Sequence, residues 1–374
     1  VMPSASGDED QSAVKIINAS DVAVYDTCKN VDDFLNKVQF LRVGTNLMPY
    51  LDPVKFSQLV EEEKHTQSEE FKIHFKQKYK FSGKYGKNLM EEVVRYAMVG
   101  GAIAMQNDFD VIHAHDWLTY LAGISAKRLT GKPLVIHVHA TEFDRSGENV
   151  NTEVFRLEQT GMREADKVIT VSNLTRNIVI NKYGIDPSKV ITVHNAVDFA
   201  GRSEITVNRT VKEKVITFLG RITYQKGPEY FIEAAYKVLQ RNQNVRFVMA
   251  GSGDLLNRSI RRVAKLGIAD KFHFTGFLRG ADVQKMFAYS DVYVMPSVSE
   301  PFGISPLEAM KTNVPTIISK QSGVAEVLDY AIKVNFWDID AMADAMYALL
   351  EYPALSEMAA RCGTEEVNNL KWDN

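Results

Sequence analysis

Glu300 and Glu308, eight positions apart, bracket the stretch Ser299-Glu300-Pro301-Phe302-Gly303-Ile304-Ser305-Pro306-Leu307-Glu308, which follows the apolar run Asp291-Val292-Tyr293-Val294-Met295. A buried strand that enters a glycine-containing loop, and then a helix opened by proline, aims backbone N–H groups and a positive helix end at one point. An anion can sit there. A carboxylate at each end of the loop suits the uncharged parts of a ligand, because an anion beside Glu is repelled whereas a hydroxyl donates to it. Phosphate against the amides and sugar hydroxyls against the carboxylates together imply a nucleotide sugar. Ser305-Pro306-Leu307-Glu308 also reads as a capping box, with Ser305 as N-cap, Pro306 at the first helical position and Glu308 at N3. The two roles can coexist, and the rest of the chain raises the functional one.

A second loop of the same kind follows the apolar strand Val215-Ile216-Thr217-Phe218-Leu219. It reads Gly220-Arg221-Ile222-Thr223-Tyr224-Gln225-Lys226-Gly227, with a helix starting at Pro228. Gly220 permits close backbone approach, and Arg221 and Lys226 place two cations where a diphosphate can lie. Loop Arg and Lys are commonly surface charge, but the position at a strand's carboxyl end, matched to the 301–305 loop, favours ligand contact. Neutralising a departing diphosphate is electrostatic catalysis, and losing one such group costs on the order of 3 kcal/mol of barrier. Such a mechanism needs no metal.

The first half carries four histidines in two His-x-His pairs, in His113-Ala114-His115-Asp116-Trp117 and in His137-Val138-His139. On a strand, residues i and i+2 share a face, so each pair could converge on one ion. A metal-dependent hydrolase is therefore a rival reading. Against it, no compact further ligand set is evident and the anion-ready loops of the second half go unexplained. Each histidine also has a plain structural role open to it. His139, at the end of an apolar strand and followed by Thr141-Glu142, is the best placed to face a cleft. Gly251-Ser252-Gly253-Asp254 closes a strand and could approach a base or ribose, and Ser322-Gly323-Val324-Ala325-Glu326 likewise follows one. Glu326 is as readily a first-turn helix residue as a ligand contact.

The elements that position these groups alternate between short β-branched runs and helical patterns, the signature of parallel sheets covered by helices. Strands are expected near Asp110–His113, Leu134–His139, Lys167–Val171 and Val190–Val193, then near Lys214–Leu219, Val245–Ala250, Phe272–Thr275, Asp291–Met295 and Thr316–Ser319. Between Asp198 and Lys214 the chain turns polar and loses periodicity. This divides it into a domain over 1–198, a linker over 199–213 and a domain over 214–374. Ligands of such sheets bind at the carboxyl ends of strands, so a cleft between two facing domains is expected. The stretch 48–96, with Glu61-Glu62-Glu63-Lys64-His65 and Ser82-Gly83-Lys84-Tyr85-Gly86, reads as a partly solvated helical excursion that could cover the cleft or the acceptor. Both ends, Val1-Met2-Pro3-Ser4-Ala5 and Lys371-Trp372-Asp373-Asn374, read as cut within elements of a longer chain.

With 374 residues, 45% of them hydrophobic and 24% charged, the chain is large enough for two ordinary globular domains. A net charge of −3 gives no basic footprint for nucleic acid. Cys28 and Cys362 have no motif spacing, so neither a disulfide framework nor a cysteine zinc site is supported and a reducing cytoplasm is the default. The longest apolar-leaning window, Val93–Met105, is interrupted by Arg95 and is shorter than the roughly 20 residues a membrane span needs. No signal peptide is visible.

Taken together, the motifs resemble retaining glycosyltransferase family 4, the group 1 transferases that include glycogen and starch synthases, sucrose-phosphate synthases and lipopolysaccharide or mannosyl transferases. The likeness runs from His113-Ala114-His115-Asp116-Trp117 through His139, Ala165–Ser172, Val193-His194-Asn195-Ala196-Val197-Asp198 and Leu219–Gly227 to Glu300–Glu308. It implies an α/β fold of GT-B architecture, two Rossmann-like domains with parallel sheets facing across a cleft and the nucleotide held by the second. It implies transfer of a hexose from an ADP-, UDP- or GDP-sugar to a glycan or small hydroxyl acceptor with retention, and no cofactor or catalytic metal. By position, Arg221 and Lys226 resemble the pair that binds the diphosphate, Glu300 the carboxylate near the donor sugar, and Glu308 the one holding the ribose. Gly220, Gly251, Phe302, Gly303 and Ile304 stand as donor contacts and His139 as the first-domain histidine beside the transferred sugar, with Asp116 and Ser305 as weaker candidates. The glycine-rich loop after the first strand of the family is absent, and the terminal crossing helix looks truncated, so weak nucleotide binding and poor turnover are expected of these residues alone.

The segment 110–118 resembles glucan synthases, which inclines the donor toward ADP- or UDP-glucose. A GT-B epimerase, which would use the same donor without an acceptor, stays open as the alternative within nucleotide-sugar chemistry. Less favoured are the metal hydrolase and a nucleotide-sugar-binding regulator without catalysis.

Overall fold

The computed structural model describes Ile17, Ala19, Val22, residues 89–197 and residues 211–370. Cys28, most of the expected excursion, most of the linker and both chain ends lie outside the described residues. The first stretch forms α1 (Leu89–Gln106), β1 (Ile112–His115), α2 (Trp117–Thr130), β2 (Leu134–Val138), α3 (Glu142–Ser146), α4 (Thr152–Glu164), β3 (Lys167–Thr170), α5 (Asn173–Asn181) and β4 (Val190–Thr192). The second forms β5 (Lys214–Leu219), α6 (Pro228–Leu239), β6 (Val245–Ala250), α7 (Leu256–Lys265), β7 (Phe272–Gly276), α8 (Ala281–Tyr289) and β8 (Val292–Met295). It continues with α9 (Ser305–Lys311), β9 (Thr316–Ser319), β10 (Ile332–Val334), α10 (Ile339–Glu351) and α11 (Pro353–Asn369).

The chain divides into two compact units. One comprises Val1–Val138, Asn151–Ile169 and Tyr183–Ile191, and the other His139–Val150, Thr170–Lys182 and Thr192–Asn374. The division is not a single cut in sequence: two short segments ahead of residue 192 group with the later unit.

In the first unit the strands follow the order β1-β2-β3-β4. β1 and β2 are parallel, with Ile112 opposite Leu134 and His115 opposite His137. β1 begins two residues later than expected, because pairing opens with Ile112 N donating to Pro133 O (2.9 Å) and closes with Asp116 N donating to His137 O (3.0 Å). Asp166 pins the start of β2: its carboxylate accepts from Leu134 N at 2.7 Å and from Lys127 Nζ at 2.9 Å. The window around Val93 lies in α1, an amphipathic helix that buries Leu89, Val93 and Tyr96. The described end of the expected solvated excursion is thus a packed helix. Burial pushes the Tyr96 phenol up to about 12. Among the described residues no helix is long and apolar enough to cross a membrane.

The second unit carries a six-stranded sheet in the order β7-β6-β5-β8-β9-β10, and its neighbouring strands pair in parallel. This is the doubly wound order, whose sense reverses between β5 and β8. The strands are near-continuous apolar runs because helices cover both faces. Ile216, Phe218, Phe231, Phe247, Val292 and Ile317 are all at most 2% exposed, each such burial contributing roughly 1.5–3 kcal/mol. β10 was not anticipated from sequence. Ser305 is not the N-cap of α9 either: Ile304 already takes helical angles (φ −82°, ψ −33°) and no side chain caps the helix. The capping-box reading of Ser305 and Glu308 is therefore overturned.

Candidate active site

In a doubly wound sheet the ligand crevice opens outside the carboxyl ends of the two strands where the order reverses. Here those strands are β5 and β8, and the loops leaving them are the two read from sequence as anion-ready.

The loop after β5 runs against the loop after β6, with Gly220 N donating to Ala250 O (3.0 Å) and Ile222 N to Ser252 O (2.9 Å). Gly251 makes that approach possible. It sits at φ 145°, and a Cβ there would lie 1.8 Å from the Gly220 carbonyl oxygen. Gly251 thus has a packing reason of its own to be glycine, whereas a Cβ at Gly220 would meet only the Lys226 side chain, at 3.7 Å. Past Ile222 the chain makes a short turn over Tyr224–Lys226 before α6 opens at Pro228. Arg221 Nη2 donates to Gln225 Oε1 at 3.3 Å. The buried Gln225 accepts Val298 N through its carbonyl at 2.9 Å, tying this loop to the one after β8.

Glu300 lies in that second loop and is 6% exposed. Its carboxylate forms an ion pair with Lys226 Nζ and accepts from Ser297 Oγ at 3.3 Å. Its backbone is clamped by Glu300 N to Gln321 O (3.0 Å) and Gly323 N to Glu300 O (2.9 Å). The Phe302 carbonyl accepts Val324 N at 2.8 Å, and its ring is buried in the core. Gly303 turns the chain at φ 101°, the exposed Ile304 follows, and Glu308 stands one turn into α9.

Tyr293, fully buried on β8, was not singled out from sequence. Its hydroxyl donates to Ser305 Oγ at 2.7 Å and lies 3.4 Å from the Leu219 carbonyl oxygen. Burial, with smaller contributions from the Glu300 and Glu308 carboxylates, pushes its phenol far upward, so it remains a neutral donor. It joins the end of β5 to the start of α9.

His139 is half-buried immediately past β2, and the short helix α3 that follows is also tied to this site. Thr141 and Asp144 form a reciprocal capping box, with Asp144 Oδ2 accepting from Thr141 N and Thr141 Oγ1, both at 2.7 Å. The other carboxylate oxygen accepts from Ser299 Oγ at 2.6 Å, and α3 also packs on the Tyr224–Lys226 turn. Burial raises the Asp144 carboxyl above its ordinary range, opposed in part by these hydrogen bonds. Sequence could show the Thr141-x-x-Asp144 box but not its partner 155 positions away.

Three other groups of residues singled out in the sequence have different surroundings from those expected or take no part in this site. Glu326 does not serve its own short turn: its carboxylate accepts from Asn173 N (2.8 Å) and Leu174 N (2.7 Å) at the start of α5, and from His194 Nε2 at 2.8 Å. Asp116, in the first unit, precedes α2 at φ 58°, left-handed for a non-glycine residue, which marks local strain. Of the four histidines, His113, His115 and His137 are gathered, and His139 is not part of that set.

Comparison with known proteins bears on what this arrangement serves. A family model described as glycosyl transferases group 1 matches residues 203–366, and one described as glycosyltransferase family 4 matches residues 80–200. An uncharacterized glycosyltransferase of Methanocaldococcus jannaschii is 34% identical over 71% of this chain and 73% of its own length. The UDP-Gal:alpha-D-GlcNAc-diphosphoundecaprenol alpha-1,3-galactosyltransferase of Escherichia coli is 28% identical over 70% of this chain and 71% of its own. Among solved structures, Anabaena HepE in complex with UDP and glucose superposes with a TM-score of 0.65, covering 84% of this chain and 85% of that one at 18% identity. With two parallel-sheet α/β units and these relatives, the chain belongs to the group 1 glycosyltransferases of GT-B architecture.

Proposed function

We propose that the protein is a retaining hexosyltransferase that moves glucose from a nucleoside diphosphate donor to a hydroxyl acceptor, without a catalytic metal. The observation that carries this reading is the ion pair of Lys226 with the buried Glu300 at the β5/β8 switch point, with Arg221 hydrogen-bonded to Gln225 on the Lys226 loop, which is itself joined to the loop of Glu300. The diphosphate lies against Arg221 and Lys226, the ribose hydroxyls donate to Glu308, and the sugar hydroxyls face Glu300. Phe302, Gly303 and Ile304 present backbone to the donor beside Gly220 and Gly251. His139 approaches the transferred sugar from the α3 side.

In the reaction the bond from the anomeric carbon to the leaving phosphate oxygen breaks on the same face on which the acceptor oxygen bonds. The acceptor proton passes to a phosphate oxygen of the leaving diphosphate. Arg221 and Lys226 stabilise the charge that develops there, the kind of preorganised electrostatics that supplies most of a barrier reduction. UDP is favoured as the nucleotide by the UDP named for the E. coli relative and bound by HepE, and glucose by the sugar in the latter structure. Ser305 holds Tyr293 and with it the start of α9, and Asp116 is assigned no step.

Product analysis tests the reaction type. Incubation with UDP-glucose and candidate glycan acceptors should release UDP and form an α-glycoside, unaffected by chelator. An altered sugar still attached to UDP would instead establish the epimerase.

A further inference from the structure

The three histidines gathered in the first unit are not used by this chemistry. β1 and β2 lie side by side with His115 opposite His137, and His113 is two residues earlier on β1. Alternation puts His113 and His115 on one face of the strand. The intervening Ala114 faces the other way, where a Cβ added at Gly123 of α2 would touch it at 3.0 Å. The rings are 4.3 Å (His113 to His115), 5.1 Å (His115 to His137) and 5.4 Å (His113 to His137) apart between centroids. One nitrogen from each lies within 4.8 Å of the others.

Those spacings suit a tetrahedral ion. With metal–nitrogen bonds of about 2.0–2.1 Å, ligand nitrogens stand roughly 3.4 Å apart and ring centres roughly 5 Å apart. Two of the three ring separations, 5.1 and 5.4 Å, already match, and His113 and His115, at 4.3 Å, need part only slightly. The nitrogens converge by rotation about the last side-chain torsion, which is broad for histidine. His113 and His115 are exposed, which gives an ion access from solvent, while the buried His137 supplies a fixed ligand. Three imidazoles without a carboxylate select zinc, cobalt, nickel or copper over magnesium or calcium.

We propose that His113, His115 and His137 form a divalent transition-metal site across β1 and β2, holding one ion per chain with a fourth position open to water. The site stands independently of the transferase reading, since its ligands take no part in diphosphate chemistry.

The test uses the full chain, stripped with chelator and dialysed against zinc or cobalt. The expected result is one equivalent of metal by elemental analysis, a tetrahedral cobalt absorption band, and a rise in melting temperature on adding zinc, as binding to the native state requires. His113→Ala and His115→Ala alter exposed residues, spare the fold and should each weaken binding by roughly tenfold or more, given three-ligand coordination. His273→Ala, an exposed histidine on β7, should bind as the parent does. A folded parent chain that takes up no stoichiometric metal would overturn the proposal, as would binding undiminished in the His113→Ala/His115→Ala double variant.

Discussion

Lys226 and Glu300, 74 positions apart in sequence, form an ion pair at the point where the strand order of the second sheet reverses. The Lys226 side chain is 21% exposed and that of Glu300 is 8%, so neither charge is freely solvated. A lysine with this partner is held in one place, and Glu300 is held beside it. Removing one partner of a buried pair strands the other. Lys226→Ala should lower the unfolding free energy by about 3 kcal/mol and cut kcat by roughly 10²–10³-fold. Denaturant titration and steady-state kinetics check the two effects separately. Lys226→Arg, which keeps the charge, should recover most of the stability.

The hydrogen bond from Ser299 to Asp144 couples the loop bearing His139 to the residue just before Glu300. Ser299→Ala leaves Asp144, 2% exposed, with one acceptor oxygen short of its partner. The expected cost is about 1–3 kcal/mol. A larger fall in kcat than rise in donor KM would mark positioning of the sugar end, whereas equal loss of both would mark general damage.

Two glycines with positive φ should respond differently to alanine. At Gly251 the added methyl would lie 1.8 Å from the Gly220 carbonyl oxygen, while at Gly267, φ 71°, nothing lies within 4 Å. Gly251→Ala should cost roughly 3 kcal/mol or more through overpacking and disrupt the Arg221 loop. Gly267→Ala should cost only about 1–2 kcal/mol, the backbone penalty alone. Melting temperatures and donor affinity of the two variants check this.

Asp166 makes stability pH-dependent. Its hydrogen bond from Lys127, with a second from the Leu134 amide, holds its carboxyl below the ordinary 3.8. A depressed carboxyl stabilises the fold above its unfolded pKa, and that contribution fades as pH falls through the folded value. Because the side chain is 48% exposed, the contribution is reduced by solvent screening to about 1 kcal/mol. Parent minus Asp166→Asn should therefore be largest above pH 5 and shrink steadily below pH 4 in urea titrations.

How far sequence reaches depends on what fixes each element. Lys214–Leu219 and Val245–Ala250 were legible to the residue because a strand covered on both faces is a predominantly apolar, β-branched and aromatic run, broken in the second only by Arg246. β10 is three residues with Lys333 in the middle, too short to carry a pattern, and exists because β9 offers an edge. Glu300, Lys226 and Arg221 were legible as strand-end loop residues, but the pairing of Lys226 with Glu300 depends on which strands adjoin. The same limit hid Tyr293 and Asp144, whose partners are set by tertiary contact. Ser305 misled because its local motif is a good cap, while the backbone at Ile304 enters the helix one residue early and Tyr293 donates to its hydroxyl.

The most direct test is calorimetric titration of the full chain with UDP-, ADP- and GDP-glucose, alongside Lys226→Ala and Glu308→Ala. The account predicts saturable binding of one nucleotide class, with UDP favoured, weakened at least tenfold in both variants. Absence of binding to all three donors, or binding that neither variant changes, would contradict a nucleotide-sugar site at the β5/β8 switch point.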